Sequence, residues 1–183
     1  MGGKSGVSLW FLNHSGKGQW KYQKSLPRPT EDLLRPTDDV NSLSWTDNGD
    51  RLVASYVSYG VIVWNITSSS VEKHLHNESA VISPDGNTFL VRAPGTFELR
   101  DIEGGRVLET LVDPDLSIED AMSSDVVLPA VFMHDGYWLL TGSKGKAKLW
   151  RIDAKRVVQE IGLDNLLSNC VIRLLDVRWI RTS

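Results

Sequence analysis

The residues able to do chemistry by themselves are few and scattered. Gly2-Gly-Lys-Ser5 has the composition found at the end of a phosphate-binding loop, where backbone N–H groups and a lysine cradle phosphate. That loop needs a preceding strand and a glycine four residues earlier, and the chain has neither. His74 and His76 alternate, so a strand would put both imidazoles on one face, where they could hold a metal. Nothing nearby has ligand spacing, and a pair of solvated histidines on an outer strand is the alternative. Neither a metal site nor a cofactor is expected. Cys170 is the only cysteine, which excludes an intrachain disulfide and a thiolate cluster. No Ser/His/Asp or Cys/His set is tied together by spacing.

Composition narrows the partners. Apolar residues make up 41% and charged residues 23%, which suits a folded globular chain rather than a disordered one. The 183 residues suffice for one domain or part of a larger one. A net charge of −3 gives no basis for nucleic-acid binding, which needs a basic stripe. No apolar run is long enough for a membrane helix, so no membrane partner is expected. The first residues lack the apolar stretch of a secretory signal, so a cytoplasmic or nuclear, intracellular location is expected. The sequons at Asn13, Asn65 and Asn77 would be idle there.

Stepping from residues to elements, one nine-residue pattern occurs twice. It reads Gly-Gly-Lys-Ser-Gly-Val-Ser-Leu-Trp at Gly2–Trp10 and Gly-Ser-Lys-Gly-Lys-Ala-Lys-Leu-Trp at Gly142–Trp150. Ser58–Asn65 and Pro94–Asp101 are further versions, each a Gly-bearing turn and then an alternating strand. Around them strands and turns recur in one order. Asn41–Thr46, Arg51–Val57, Gly60–Ile66 and Val71–His76 make one four-strand cycle, with a tight turn at Asp47-Asn-Gly-Asp50. Ser79–Ser83 to Arg106–Val112 make a second, and Leu128–Met133 to Arg156–Ile161 a third. Gly49 and Gly86 lie 37 residues apart, and Gly86 and Gly136 lie 50 apart. The excess is the acidic segment Asp113–Asp125, as the Pro-rich loop is between Trp10 and Trp64. Without these insertions the period is about 37 to 40, within the range of four-stranded propeller blades.

The order resembles the WD-repeat β-propeller family. The residues carrying it are Ser83-Pro-Asp-Gly86, Thr46-Asp-Asn-Gly49 and His134-Asp-Gly136, with the strand ends Val63-Trp64-Asn65, Leu149-Trp150-Arg151 and Leu99-Arg100-Asp101. It covers the chain to about Leu163. No repeat has the family's Gly-His pair or a literal Trp-Asp, and Arg100 stands where a Trp is usual. The family often links a buried Trp to a strand Ser or Thr, a His and a turn Asp. The resemblance therefore implies structural pairs of Ser55 with Trp64 and of Thr141 with Trp150, in irregular, less stable blades. It also implies about seven blades in a closed ring.

The expected fold is thus all-β: a partial or small β-propeller of four-stranded antiparallel blades, with a possible short C-terminal helix. Residues 1–25 are the last two strands of an incomplete blade, and 26–40 a Pro-rich loop. Blades occupy 41–78, 79–112 and 127–163, with an acidic insertion at 113–126. Residues 164–183 are a helix capped by Asp164, or the start of a further blade. The chain reads as a fragment or an open partial propeller, whose missing blades come from a longer chain or another copy. Closure of the ring by the C-terminal segment is the alternative.

Such a module is expected to be a protein-binding scaffold. Tyr59, Arg92 and Lys144 sit at turns that open on the same face as the blade-to-blade connections, as do Asp115, Glu119 and Asp120 of the acidic insertion. These six are the partner-binding residues of this reading. The partners are proteins. Simple solvated loops are the alternative, as is a truncated remnant without independent activity. An enzyme at the central channel is disfavoured, because Asn41–Trp45, Ala80–Ser83 and Pro129–Met133 carry no charged residue. Trp138 is expected in the core.

Overall fold

The computed structural model describes residues 2–3, 6–13, 18–27, 39–46, 49–57, 59–75, 79–116, 130–143 and 146–162. The proposed C-terminal helix, Cys170, His76 and most of both insertions lie outside them. The turn signals fold as read. Gly49, Gly86 and Gly136 have φ of 72°, 71° and 91°, the left-handed region open to glycine.

Between the turns run fifteen strands among the described residues. Sheet I holds β1 (Gly2–Gly3), β2 (Gly6–Asn13) and β3 (Gln19–Ser25). Sheet II holds β4 (Val40–Trp45), β5 (Arg51–Tyr56), β6 (Gly60–Asn65) and β7 (Ser70–Leu75). Sheet III holds β8 (Ala80–Ile82), β9 (Thr88–Ala93), β10 (Thr96–Asp101) and β11 (Val107–Val112). Sheet IV holds β12 (Ala130–Met133), β13 (Trp138–Ser143), β14 (Lys146–Arg151) and β15 (Arg156–Gly162). Every sheet is an antiparallel meander in chain order. The first strands neighbour one another, β1 beside β4, β4 beside β8, and β8 beside β12. Sheets II to IV are therefore four-stranded blades set side by side.

The repeated nine-residue pattern is a repeated pairing. Gly2 pairs with Val7 and Gly3 with Gly6; Gly142 pairs with Ala147 and Ser143 with Lys146. Gly2 and Gly3 thus lie in a strand paired with Val7 and Gly6, the pairing that Gly142 and Ser143 make in sheet IV, and not in a phosphate-binding loop. Sheet I gains a third, two-residue strand beyond the two read from sequence, because Gly2–Gly3 makes that pairing.

Each sheet has two apolar faces, and the core lies between sheets. On sheet II, Leu52, Ala54, Ile62 and Trp64 pack against Val7 and Leu9 of sheet I. Its other face, Val53, Val61 and Val63, packs against Ala80, Ile82, Phe89 and Val91 of sheet III. Leu90, Phe97, Leu99 and Leu111 of sheet III then receive Leu139, Trp150 and Ile152 of sheet IV. One rule covers all three contacts: the face bearing the third-strand Trp position rests on the sheet before it. Sheet III lacks the Trp but obeys the rule. Leu52 is opposite Trp64, and Leu139 opposite Trp150, whereas Phe89 is opposite Arg100. The large ring has moved one strand over, and Arg100 pairs with Glu98 at 2.5 Å.

All four sheets share an irregularity. The register slips between Leu9 and Trp10, Val63 and Trp64, Leu99 and Arg100, and Leu149 and Trp150. In each case the last strand of the sheet carries one extra residue, a β-bulge that bends the strand and increases its twist.

Candidate functional site

The turns after the second strands and the described ends of the connections between sheets lie at one end. Val57 N–H donates to the Asp39 carbonyl at 3.1 Å, which ties the β5–β6 turn to the connection entering sheet II. Asp113 N–H donates to the Gly95 carbonyl at 2.9 Å, which ties the acidic segment to the β9–β10 turn. Leu26 N–H donates to the Val7 carbonyl at 2.9 Å and repeats the arrangement at sheet I.

Three of the six proposed partner-binding residues are described, and all three sit at this end. Tyr59 is half-buried in its turn, with its ring stacked on His74 at 4.3 Å and the Tyr56 ring edge-on at 6.3 Å. His74 Nε2 lies 2.8 Å from the Tyr59 carbonyl. That stack occupies the histidine considered for metal. No group of three or more His, Cys, Asp or Glu among the described residues is placed to hold a metal ion. Arg92 is half-buried near the end of β9, across from Phe97. Lys144, Glu119 and Asp120 fall outside the described residues.

Asp115 belongs to an ion cluster that sequence reading missed. Lys148 on β14 is almost fully buried and reaches Asp113 Oδ1 at 2.5 Å and Asp115 Oδ2 at 2.7 Å. Lys146 lies 3.4 Å from the same Asp115 oxygen. Asp113 is fully buried, and its Oδ1 also accepts the Asp115 N–H at 3.0 Å. Its Oδ2 has no hydrogen-bond partner among the described residues. Leu116 follows into the core between sheets III and IV. The acidic segment has no basic residue along its own length and is rooted by a lysine of the next sheet. Burial alone would lower the Lys148 pKa, but hydrogen bonds and charge from Asp113 and Asp115 raise it overall. The hydrogen bond from Lys148 and its charge hold Asp115 below the usual carboxylate range. One signal in the sequence marks this lysine: it stands two residues before Trp150, hence on the same strand face, towards sheet III.

The structural pairs divide. Trp150 Nε1 donates to Thr141 Oγ1 at 2.9 Å, within the buried face. Ser55 and Trp64 do not pair, which corrects the expectation. Thr141 is opposite Lys148, two residues before Trp150, and the matching residue opposite Ile62 is Ala54, not Ser55. Ser55 consequently faces sheet III, where its Oγ accepts the Ala80 N–H at 3.0 Å. Trp64 Nε1 donates instead to the Pro27 carbonyl at 3.0 Å, which pins the start of the Pro-rich loop. Trp138 is half-buried rather than core, with the Arg151 guanidinium 5.9 Å from its ring centre.

Sheets are also joined by polar contacts. Asn41 Nδ2 donates to the Ala80 carbonyl at 2.9 Å, and Ser44 Oγ to the Pro84 carbonyl at 2.8 Å. Glu103 of sheet III accepts from Arg51 and Lys73 of sheet II.

The β-propeller domain of Cps50 (Swd1) from Myceliophteria thermophila superposes with a TM-score of 0.57 at 17% identity, covering 88% of this chain and 50% of that one. A curated relative, the chromatin assembly factor 1 subunit FAS2 homolog of Oryza sativa subsp. japonica, is 34% identical over 76 residues, which are 39% of this chain and 14% of the relative. No protein-family model matches. The chain thus spans half the length of the solved propeller domain and a small part of the curated relative.

Proposed function

We propose, from the β-propeller fold, that this chain is a WD-repeat-like scaffold that binds a protein partner through its loop-bearing end. The observation that carries the proposal is the gathering of second-strand turns and the described ends of the inter-sheet connections at one end, held there by the Val57–Asp39 and Asp113–Gly95 hydrogen bonds. Tyr59, Arg92 and Asp115 stand on three successive parts of that end, and Lys144, Glu119 and Asp120 extend it in sequence. An aromatic ring and a guanidinium are side chains enriched at protein interfaces, and carboxylates beside them add electrostatic selectivity. The curated relative is named as a subunit of an assembly factor, which favours membership of a multi-protein complex, and its chromatin role favours the nucleus within an intracellular location. A binding role is favoured over catalysis because β4, β8 and β12, the strands that neighbour one another, carry no ionisable side chain.

The rooted ion cluster determines how to test this. Residues 117–126 are replaced by a short Gly-Ser turn, with Asp113–Leu116 kept so that the core stays closed. The expected outcome is loss of the protein that co-purifies with the wild-type chain, at unchanged β-sheet circular dichroism. Undiminished co-purification with the shortened insertion and with Tyr59→Ala and Arg92→Ala would overturn the proposal.

A further inference from the structure

The packing rule leaves two faces to consider, one at each end of the row of sheets. In sheet I the face bearing Trp10 is open. Trp10 is 45% exposed, Trp20 65% and Tyr22 53%, whereas Trp64 and Trp150 at the equivalent place are 1% exposed. Trp10 is opposite Tyr22, with the rings edge-on at 5.4 Å, and Leu12 is opposite Trp20. With Ser8, these residues form a face without one charged side chain among the described residues. In sheet IV the opposite kind of face points outward, with Leu140 opposite Leu149 and Ala147 opposite Ile161. These four occupy the positions of Leu90, Leu99, Phe97 and Leu111, with which sheet III receives Trp150. Ile161 is 44% exposed, while Leu111 is fully buried.

The two faces are therefore the two halves of a contact that the chain already makes three times. We propose that sheet I of one chain docks its Trp10 face on sheet IV of a second copy, and reciprocally, so that two copies close one ring. The occupant follows from the match of positions between the two faces. A head-to-tail contact closes into a ring when the rotation allows and otherwise grows into a filament. The two-fold ring is the smallest closure that pairs both faces of each copy. The contact uses sheet faces and leaves the loop end open, so loss of the dimer and loss of a loop-bound partner are separable.

The test is the mass of the full chain in solution, by sedimentation equilibrium over about a hundredfold range of concentration. The expected mass is twice the 20.4 kDa of the chain. Trp20→Arg and Ile161→Lys are each expected to give monomers with unaltered β-sheet circular dichroism, since both side chains are exposed. Mixed together, these two variants should regain a dimer through one intact contact, weaker than wild type by about a hundredfold or more. An isologous contact between two Trp10 faces would not be broken by Ile161→Lys. Should Trp20→Arg lose its β-sheet signal, Tyr22→Lys takes its place. The proposal is overturned by a monomeric wild-type chain, by mass that grows without limit, by a dimer indifferent to either substitution, or by a mixture that stays monomeric. The first of these would leave a foreign blade, or one from a longer chain, as the occupant.

Discussion

Lys148 and Asp113 have exposures of 2% and 0% at their side chains, so removing one partner strands the other in the core. Lys148→Met is expected to cost about 3–5 kcal/mol in urea unfolding, because an uncompensated buried carboxylate is left. Adding Asp113→Leu should recover most of that loss, since apolar replacement of a buried pair is close to neutral. Asp115 and Lys148 also set a pH dependence. Asp115 is held below its ordinary value, so its contribution is present above the unfolded pKa of about 3.9 and is lost as pH falls through the lower folded value. Lys148 is raised, so its contribution is present below about 10.4 and is lost as pH rises through the higher folded value. Melting temperature against pH should fall at both extremes in the wild type, and both slopes should be shallower in Lys148→Met. At this scale sequence reading was least complete. Lys148 and Asp113 are 35 residues apart, and no local pattern joins them. The Ser55 expectation failed by a single position, which in a strand is enough to send a side chain to the other sheet.

At the scale of the element, the turns were the most legible part. Asp-Gly and Asn-Gly steps call for positive φ whatever surrounds them. What surrounds them differs. A Cβ on Gly86 would stand 2.8 Å from the Trp45 carbonyl oxygen, whereas one on Gly49, at nearly the same φ, would meet nothing within 4 Å. Gly49→Ala should therefore cost only the conformational part, about 1–2 kcal/mol. Gly86→Ala adds a backbone clash between sheets II and III and should cost more, above about 3 kcal/mol, in the same unfolding assay. The Ser83-Pro-Asp-Gly86 turn is more than a chain reversal. Its Asp85 accepts from Ser83 and from Asn87 N–H, and its backbone abuts Trp45 at the end of β4 in the preceding sheet. Sheet III shows how an element survives the loss of its signature residue. Phe89 supplies ring volume that Trp supplies in sheets II and IV, from the neighbouring strand. Reading one strand at a time hides that exchange, because the conserved quantity is the volume of a cross-strand pair.

For the whole molecule, protection should be graded from the middle outward. Strands β5 and β6 are buried on both faces, by sheet I on one side and sheet III on the other. Their amides are expected to exchange slowest, and those of β3 and β15, which are largely exposed, fastest. Uniform exchange across the sheets would contradict a core that lies between blades. Blade order and period were legible, since period-two alternation punctuated by glycine is a local signal. The exposure of Trp10 was not. It shares its sequence setting with Trp150, and only the sheet lying in front of it decides whether it is covered.

The bulge in the outer strand is a property of the repeat rather than of its letters. Its extra residue is Gln23, Glu72, Leu108 or Val158, an amide, a carboxylate and two aliphatic chains, yet the slip falls at the same rung of every sheet. It persists in sheet III, where the Trp itself is gone. Sheets whose signature letters differ can still be matched to one another by the place where their ladder skips.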